Sequence, residues 1–485
     1  MPTLNYQLIS RVLGILLLIN AFFMLVCLPV GFYQWEDDLS SLVYAALCSG
    51  VLGGALFAAG RKPKIMELSK KDGYIVVTFG WFAMCFCGSL PYIFSGEIPE
   101  WSNAIFETVS GYSTTGATIL TDIEGVDHSI LLWRSFTQWI GGMGIIVLTI
   151  AILPLLGIGG MQLFVAEAPG ITPDKIRPRI KDTAKRLWLI YVGLTGLECI
   201  FLLLGGMSFF DAINHSLTTM ATGGFSTKNA STAEFAPYFQ YVFIVFMTLA
   251  GTNFTLNYFI AKFQWRKVIR NEEWLFYVIL IATLSVVIGI IVLLNVPVHW
   301  ETAFRQSLFH VVSLMTTTGY VSADYSMWAP IATAIFFALL FTGGMAGSTA
   351  GGVKLVRHLI LAKNSFLELK RQLHPSAVIP VRYDGKAVPR DIVFNILAFI
   401  IIYLFLFIVG IILVSATGVD LLTSIGAVAT CIGNIGPGLG SVGPVDNFAH
   451  LPAAAKWILS FTMLIGRLEL FTVLILFTPN FWRKV

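Results

Sequence analysis

Four short sequences along the chain combine threonine with glycine in a pattern that could hold a dehydrated cation. When each is aligned on one glycine, three of them read Thr-Gly and the fourth reads Ile-Gly. Their residues are Thr114-Thr115-Gly116, Ala221-Thr222-Gly223, Thr317-Thr318-Gly319 and Asn434-Ile435-Gly436. Backbone carbonyls that face one axis can replace the hydration shell of an ion, and glycine supplies the positive φ that such a turn needs. The pattern predicts a cation filter built from four loops; glycine turns that only pack are the alternative.

A fifth glycine-rich run, at 341–352, could obstruct an ion path. Its glycines and its small hydroxyl residue are Gly343, Gly344, Gly347, Ser348, Gly351 and Gly352. Each glycine destabilises a helix by roughly 1 kcal/mol relative to alanine. We therefore expect a broken helix here, with an irregular loop just below the filter. A seam of small residues for close helix packing is the alternative.

Arg467 is a charged residue near the middle of an otherwise apolar stretch. A central arginine costs about 2.5–3.5 kcal/mol to insert into a bilayer, so it normally faces a cavity or a partner. One fixed positive charge below the filter would repel cations and act as a barrier. The alternative is a structural ion pair, for which Glu198 is a conceivable partner; Glu469 is two residues away and does not share the same helix face.

The composition places these motifs in a membrane protein. Of 485 residues, 56% are hydrophobic and only 12% are charged, against roughly 25% charged residues in a soluble domain. The mean hydropathy is +0.79. This composition excludes a disordered chain, a nucleic-acid binder and a disulfide-stapled secreted module. No Ser/His dyad or His-Glu-x-x-His pair is present in the sequence, so we expect no enzymatic activity.

Ten stretches are long and apolar enough to cross a bilayer core that requires about 20 residues. They are 12–33, 40–60, 74–95, 129–158, 187–207, 235–261, 274–298, 327–350, 391–416 and 451–478. With the amino terminus inside, the alternating inner segments hold 26 of the 31 basic residues. The excess of basic residues on one side predicts that both termini are cytoplasmic.

Four further apolar segments, at 101–113, 208–221, 301–316 and 419–433, are too short to span and precede the Thr-Gly sequences. We expect them to be re-entrant. A second motif recurs in the stretch after each filter sequence: Gly141-Gly142-Met143-Gly144, Ala250-Gly251-Thr252, Gly343-Gly344-Met345 and Ile465-Gly466-Arg467. The repeats run in one direction, unlike the inverted repeats of many symporters for organic solutes, which is the competing class of transporter.

With these motifs the chain resembles the Trk/Ktr/HKT superfamily of potassium transporters, and within it the TrkH/TrkG branch. The resemblance implies an all-α polytopic membrane protein with four pseudo-symmetric helix–pore-loop–helix units around one pore, plus two extra N-terminal transmembrane helices. The corresponding segments are 1–71 for the extra helices and 72–182, 183–270, 271–389 and 390–485 for the units. It also implies that the four glycines line the filter, that glycine at Gly116 favours K⁺ over Na⁺, and that the 341–352 loop and Arg467 form a gate.

The resemblance further implies what the chain works with. K⁺ is expected as the transported ion, with no bound organic cofactor, in the cytoplasmic (inner) membrane of a bacterium. A homodimer is expected, together with a cytosolic nucleotide-binding regulator resembling TrkA. The predicted inner loops are too short to contain a nucleotide-binding domain, so such a regulator would be a separate polypeptide.

Overall fold

The computed structural model of the chain describes residues 4–34, 36, 39–61, 69–144, 180–374 and 376–483. The second half of the stretch predicted at 129–158, most of the basic segment 61–71 and the first part of the basic segment 175–186 lie outside the described residues. Within the described ranges the chain is almost entirely helical, and the strands β1 (Arg382–Tyr383) and β2 (Lys386–Ala387) form one short hairpin. The predicted all-α class is confirmed for this part of the chain.

The first two helices pack against each other as a pair. They are α1 (Tyr6–Gln34) and α2 (Ser40–Ala59). Glycines permit close contact between their backbones: a Cβ added at Gly14 would lie 2.6 Å from the carbonyl oxygen of Gly53. The pair rests on the helices that follow, since Tyr112 donates a hydrogen bond to the buried side chain of Asn20.

Four times along the chain, a long apolar helix is followed by a short buried helix and then by another helix. The first set is α3 (Lys70–Ser95), α4 (Trp101–Tyr112) and α5 (His128–Gly142); the second is α6 (Ile180–Leu204), α7 (Phe209–Met220) and α8 (Pro237–Ala250). After α9 (Phe254–Ala261) and α10 (Trp265–Ile269), the third is α11 (Glu272–Asn295), α12 (Trp300–Met315) and α13 (Pro330–Leu339). After α14 (Leu355–Leu373), the fourth is α15 (Arg390–Ser415), α16 (Leu421–Gly433) and α17 (Ala453–Arg467), and the chain ends in α18 (Phe471–Leu474) and α19 (Pro479–Trp482).

The long helices present apolar side chains outward. In α15, Ile401, Phe405 and Ile412 are each more than half exposed, and α11 exposes Ile279 and Leu294 in the same way. Large apolar side chains exposed along whole helices are unfavourable in water and favourable against lipid. The outer surface is therefore that of a multi-pass membrane protein.

The ten predicted spans are corrected by the structure. Within the described residues, six helices are long and apolar enough to cross a membrane, or up to eight if two bent pairs each count as one span. The bent pairs are α8 with α9, which meet at 114°, and α17 with the segment Phe471–Phe477, which meet at 108°. Hydropathy over a window cannot register such breaks, because a bend interrupts the hydrogen-bond ladder without changing the apolar content.

Candidate functional site

The four short helices end in the same turn. Just past the helix, a residue other than glycine adopts a left-handed conformation: Thr114 at φ 54°, Thr222 at 54°, Thr317 at 57° and Asn434 at 55°. The amide of the next residue then donates to a carbonyl five positions earlier, as Thr115 does to Ser110 at 2.9 Å and Thr318 to Ser313 at 2.8 Å. Left-handed threonine costs free energy of order 1–3 kcal/mol and persists only where the surroundings impose it.

A glycine with positive φ follows two residues after each of these positions. The glycines are Gly116 (82°), Gly224 (74°), Gly319 (79°) and Gly436 (104°). In the second loop this is Gly224, whereas the sequence alignment centred that loop on Gly223. The hydrogen bonds agree with the shift, since the amide of Gly223 donates to Thr218 as the amide of Thr115 does to Ser110. The register predicted for the second loop is therefore wrong by one residue, and Gly223 occupies the position of Thr115.

The four loops meet in a closed ring. A Cβ added at Gly116 would lie 2.2 Å from the carbonyl oxygen of Gly223, and one added at Gly224 would lie 1.9 Å from that of Thr318. The same test places Gly319 1.8 Å from the oxygen of Ile435, and Gly436 2.9 Å from the oxygen of Thr115, which returns to the first loop. Each loop thus presents a carbonyl against the glycine of the loop before it.

The polar side chains at the ring are buried and break its symmetry. Thr114, Thr115, Thr222, Thr317, Thr318 and Asn434 have no exposed surface. Asn434 donates from Nδ2 to Oγ1 of Thr115 at 3.0 Å and to the carbonyl of Met463 at 2.9 Å. Among the described residues, Oγ1 of Thr114 and Oδ1 of Asn434 are buried oxygens without a hydrogen-bond partner. Buried unpaired oxygens suit a cation ligand, because leaving them unpaired is costly.

The 341–352 run interrupts a helix, as its glycine content predicts. Helix α13 ends at Leu339 and α14 begins at Leu355, while Gly343 and Gly352 form an antiparallel bridge between them. Gly343, Gly347 and Gly352 all have positive φ. Near the start of the run, the carbonyl of Gly344 accepts from the amide of Leu355 at 3.0 Å. At its centre, Oγ of Ser348 donates to the carbonyl of Met345 at 2.6 Å.

This segment touches the ring directly. The amide of Gly351 donates to Oγ1 of Thr317 at 2.7 Å. A Cβ added at Gly351 would lie 2.8 Å from the Cβ of Asn434 in the fourth loop. Thr349 donates from Oγ1 toward the carbonyl of Met220 at 3.1 Å, at the end of the second short helix. The segment therefore reaches three of the four loops.

Arg467 links the same segment to the first set of helices. Its guanidinium donates to the carbonyl of Thr349 at 2.8 Å and to the carbonyls of Gly141 at 2.5 Å and Gly142 at 3.2 Å. Glu469, two residues along, forms an ion pair with Arg357. The partners predicted for Arg467 were carboxylates, whereas these contacts are with backbone carbonyls.

Several residues that hold the 341–352 segment were missed by the sequence analysis. Asn253 donates from Nδ2 to the carbonyl of Ala346 at 2.6 Å, and Glu273 accepts from the amide of Ala346 at 2.8 Å. Lys354 donates from Nζ to the carbonyl of Ala350 at 2.8 Å. Polar or charged residues beside or within apolar stretches were the available signal, but their common target is formed only by the fold.

The second recurring glycine motif marks the place where the second helix of a set meets a short helix. Helices α5, α8 and α17 end at Gly142, Ala250 and Arg467. A Cβ at Gly141 would lie 1.8 Å from the carbonyl oxygen of Tyr112, and one at Gly466 would lie 2.2 Å from that of Ile432. These glycines therefore allow the helices to approach the backbone that leads into the ring.

A conventional metal site of another kind is not found in the part of the chain that the structure describes. No group of three or more His, Cys, Asp or Glu side chains is positioned there to hold a metal ion. The oxygens available to a cation at the ring are those of backbone carbonyls and threonine hydroxyls. Such ligands suit a hard cation bound by replacement of its hydration shell.

Comparisons with known proteins agree on one family. The family profile described as "TrkH: Cation transport protein" matches residues 43–484. The "Trk system potassium uptake protein TrkH" of Salmonella typhimurium is 39% identical over 99% of this chain and 100% of its own. The TrkG protein of Escherichia coli is 34% identical over the full length of both chains. The crystal structure of the potassium transporter TrkH from Vibrio parahaemolyticus superimposes with a TM-score of 0.89 at 36% identity, covering 99% of this chain and 100% of that one.

Proposed function

This chain belongs to the TrkH family of cation transport proteins, and from that membership we propose that it takes up potassium through the ring of four loops. The relatives that cover the whole chain are named as potassium uptake proteins. Such proteins are ion transporters rather than enzymes, so no catalytic residue is assigned. The transported ion is K⁺, and no organic cofactor is part of the proposal.

The closed ring of carbonyls and glycines is the observation that carries the proposal. Its carbonyl oxygens, from Thr115, Gly223, Thr318 and Ile435, lie one per loop, and threonine hydroxyls adjoin them. Each short helix also ends at the ring, where its carboxyl terminus carries the equivalent of roughly half a negative charge. Four such ends favour a cation. In this proposal the filter comprises the twelve residues predicted from the sequence together with Gly224.

The 341–352 segment and Arg467 form the gate in this proposal. The segment is hydrogen-bonded to Thr317 of the ring, so it obstructs the path on the side where the short helices end. Arg467 holds the segment through the carbonyl of Thr349 and adds a positive charge to the same place. Opening requires the segment to leave Thr317, and repulsion between Arg467 and the ion resists leakage until it does.

The remaining assignments rest on the sequence and the family. The four sets of helices correspond to proposed units at 72–182, 183–270, 271–389 and 390–485, which follow an N-terminal pair within 1–71. The protein lies in the cytoplasmic membrane with several spans, and the distribution of basic residues supports cytoplasmic termini. A homodimer and a cytosolic nucleotide-binding partner resembling TrkA complete the proposal.

Cation flux into liposomes containing the purified chain tests the proposal. K⁺, Rb⁺ and Na⁺ are compared under an imposed voltage, with protein-free vesicles as the control. Entry of K⁺ and Rb⁺ well above Na⁺ is the expected result. Because a closed gate would also give no flux, the Arg467→Ala variant is measured in parallel. Absence of selective flux from both proteins would refute the proposed filter.

A further inference from the structure

One position in the short helices is buried in every repeat and faces the chain that leaves the ring. It lies nine residues before the positive-φ glycine, so the register fixed by Gly116, Gly224, Gly319 and Gly436 places Glu107, His215, His310 and Ala427 there. All four have no exposed surface. The sequence alignment, with the second loop shifted by one, does not bring these four residues into register.

In the first repeat, the side chain at this position is a carboxylate that holds the departing segment. Glu107 accepts from the amide of Ile119 at 2.9 Å and from Oγ1 of Thr118 at 2.9 Å. Its other partner is the buried guanidinium of Arg134, at 2.6 Å. A buried charge pair of this kind is retained only with good geometry and additional hydrogen bonds, both of which are present here.

Arg134 extends the contact to the second loop. Its Nη1 donates to the carbonyl of Ser226 at 3.1 Å, and its guanidinium carbon lies 3.5 Å from the centre of the Phe225 ring. In the second repeat, Nε2 of His215 and Oγ of the same Ser226 are hydrogen-bonded at 3.0 Å. Two neighbouring loops are therefore tied together through Glu107, Arg134 and His215.

In the third repeat, His310 makes the contact that Glu107 makes in the first. Its Nδ1 lies 2.8 Å from the carbonyl of Gln306, which assigns the proton to Nδ1 and leaves Nε2 as an acceptor. The amide of Ser322 donates to this Nε2 at 3.3 Å. Ser322 lies three residues after Gly319, as Ile119 lies three residues after Gly116.

In the fourth repeat, a close backbone approach takes the place of the side chain. Ala427 offers no polar atom beyond its backbone. The neighbouring Gly426 lies so close to the departing segment that an added Cβ would be 2.3 Å from the amide nitrogen of Leu439, three residues after Gly436. The same part of the loop is thus fixed in all four repeats by different chemistry.

We propose that Glu107, His215 and His310 are positioning residues that hold the segments leaving the ring and thereby set its discrimination between K⁺ and Na⁺. They touch no ion and act through the backbone of Thr118–Ile119, Ser226 and Ser322. This inference rests on the proposed function, since it assigns the selectivity of that ring to groups behind it. It predicts that a change at this position alters the permeability ratio rather than the amount of folded protein.

The first test is His310→Phe, which preserves the ring contacts with Tyr325 and Phe336 but removes the acceptor for Ser322. The K⁺/Na⁺ permeability ratio in liposomes is expected to fall about fivefold, the factor that corresponds to one net hydrogen bond. His310→Gln, which restores an acceptor oxygen, should recover most of the ratio. Thr108→Val is the matched control, because Oγ1 of Thr108 bonds only within its own helix, to Ala104 at 2.6 Å; its ratio should equal that of the parent.

The second test removes the charge pair. Glu107→Gln leaves Arg134 buried without its counter-ion, and this can prevent folding. The double variant Glu107→Gln with Arg134→Met removes both charges, and we expect folded protein with a lowered ratio. An unchanged ratio in His310→Phe and in the double variant would overturn the inference, as would an equal loss for all cations or failure of both to fold. Absence of selective flux from the parent and from Arg467→Ala would instead refute the proposed filter itself.

Discussion

The shifted register of the second loop gives a sharp prediction, because Gly223 and Gly224 are adjacent and differ only in backbone conformation. Gly224 has φ at 74°, and a Cβ there would lie 1.9 Å from the carbonyl oxygen of Thr318 in the next loop. Gly223 lies outside the positive-φ region, and its added Cβ would meet the carboxamide of Gln138, which is a side chain that can move. We therefore expect Gly224→Ala to be the more damaging substitution.

The expected size follows from two terms. An alanine in the left-handed region costs roughly 1–2 kcal/mol. A Cβ in ordinary contact needs about 3.4 Å, so the carbonyl of Thr318 must retreat by about 1.5 Å, well beyond the roughly 0.5 Å within which a binding site must be held. We expect the K⁺/Na⁺ permeability ratio of Gly224→Ala to fall by at least about tenfold, which corresponds to 1.4 kcal/mol.

The chain provides a control that separates these two terms. Gly206, after helix α6, has φ at 91°, and nothing lies within 4 Å of its added Cβ. Gly206→Ala therefore carries the conformational penalty without the steric contact at the ring. Its thermal stability should fall while its permeability ratio stays at the parent value. A ratio lowered more by Gly223→Ala than by Gly224→Ala would refute the corrected register and the ring geometry derived from it.

Three further predictions concern the ring and the gate. Gly116→Ser should weaken discrimination between K⁺ and Na⁺, because its Cβ would meet the carbonyl of Gly223 at 2.2 Å; unchanged permeability ratios would remove that glycine from the ring. Arg467→Ala removes the hydrogen bonds to Thr349, Gly141 and Gly142, and should raise basal K⁺ flux about tenfold or more; unchanged flux from folded protein would argue against a barrier. Deletion of 344–350 should give a higher basal flux than the parent in the same liposome assay, and a pore no leakier than the parent would contradict the assignment of that segment as a gate.

The fold class was predictable because it depends on composition and periodicity. A chain with 56% hydrophobic and 12% charged residues cannot cover a water-exposed surface, and its apolar stretches are long enough to be helices. The short helices and the break at 341–352 were predictable for the same reason, since glycine content and segment length are local properties. The spans were overcounted where α8 meets α9 and α17 meets α18, because a bend leaves the hydropathy unchanged.

The predicted filter residues lie together in the structure, but their register depends on contacts that the sequence does not contain. Thr222-Gly223 matches Thr115-Gly116 by residue type, whereas the backbone pairs Gly223 with Thr115 and Gly224 with Gly116. Two consecutive glycines are equivalent to an alignment. They differ only when a neighbouring carbonyl, here that of Thr318, decides which of them must lack a side chain.

The sequence by itself determined that this is a helical membrane protein with four related Thr-Gly loops, a glycine-rich break and one arginine in an apolar stretch. These are properties of residue type and spacing. The tertiary structure decided that the carbonyl of Thr349 accepts from Arg467, that Thr317 accepts from the amide of Gly351, and that Glu107 and His310 serve the same place in different repeats. Such pairings join residues far apart in the chain, and their geometry is fixed only when the helices pack.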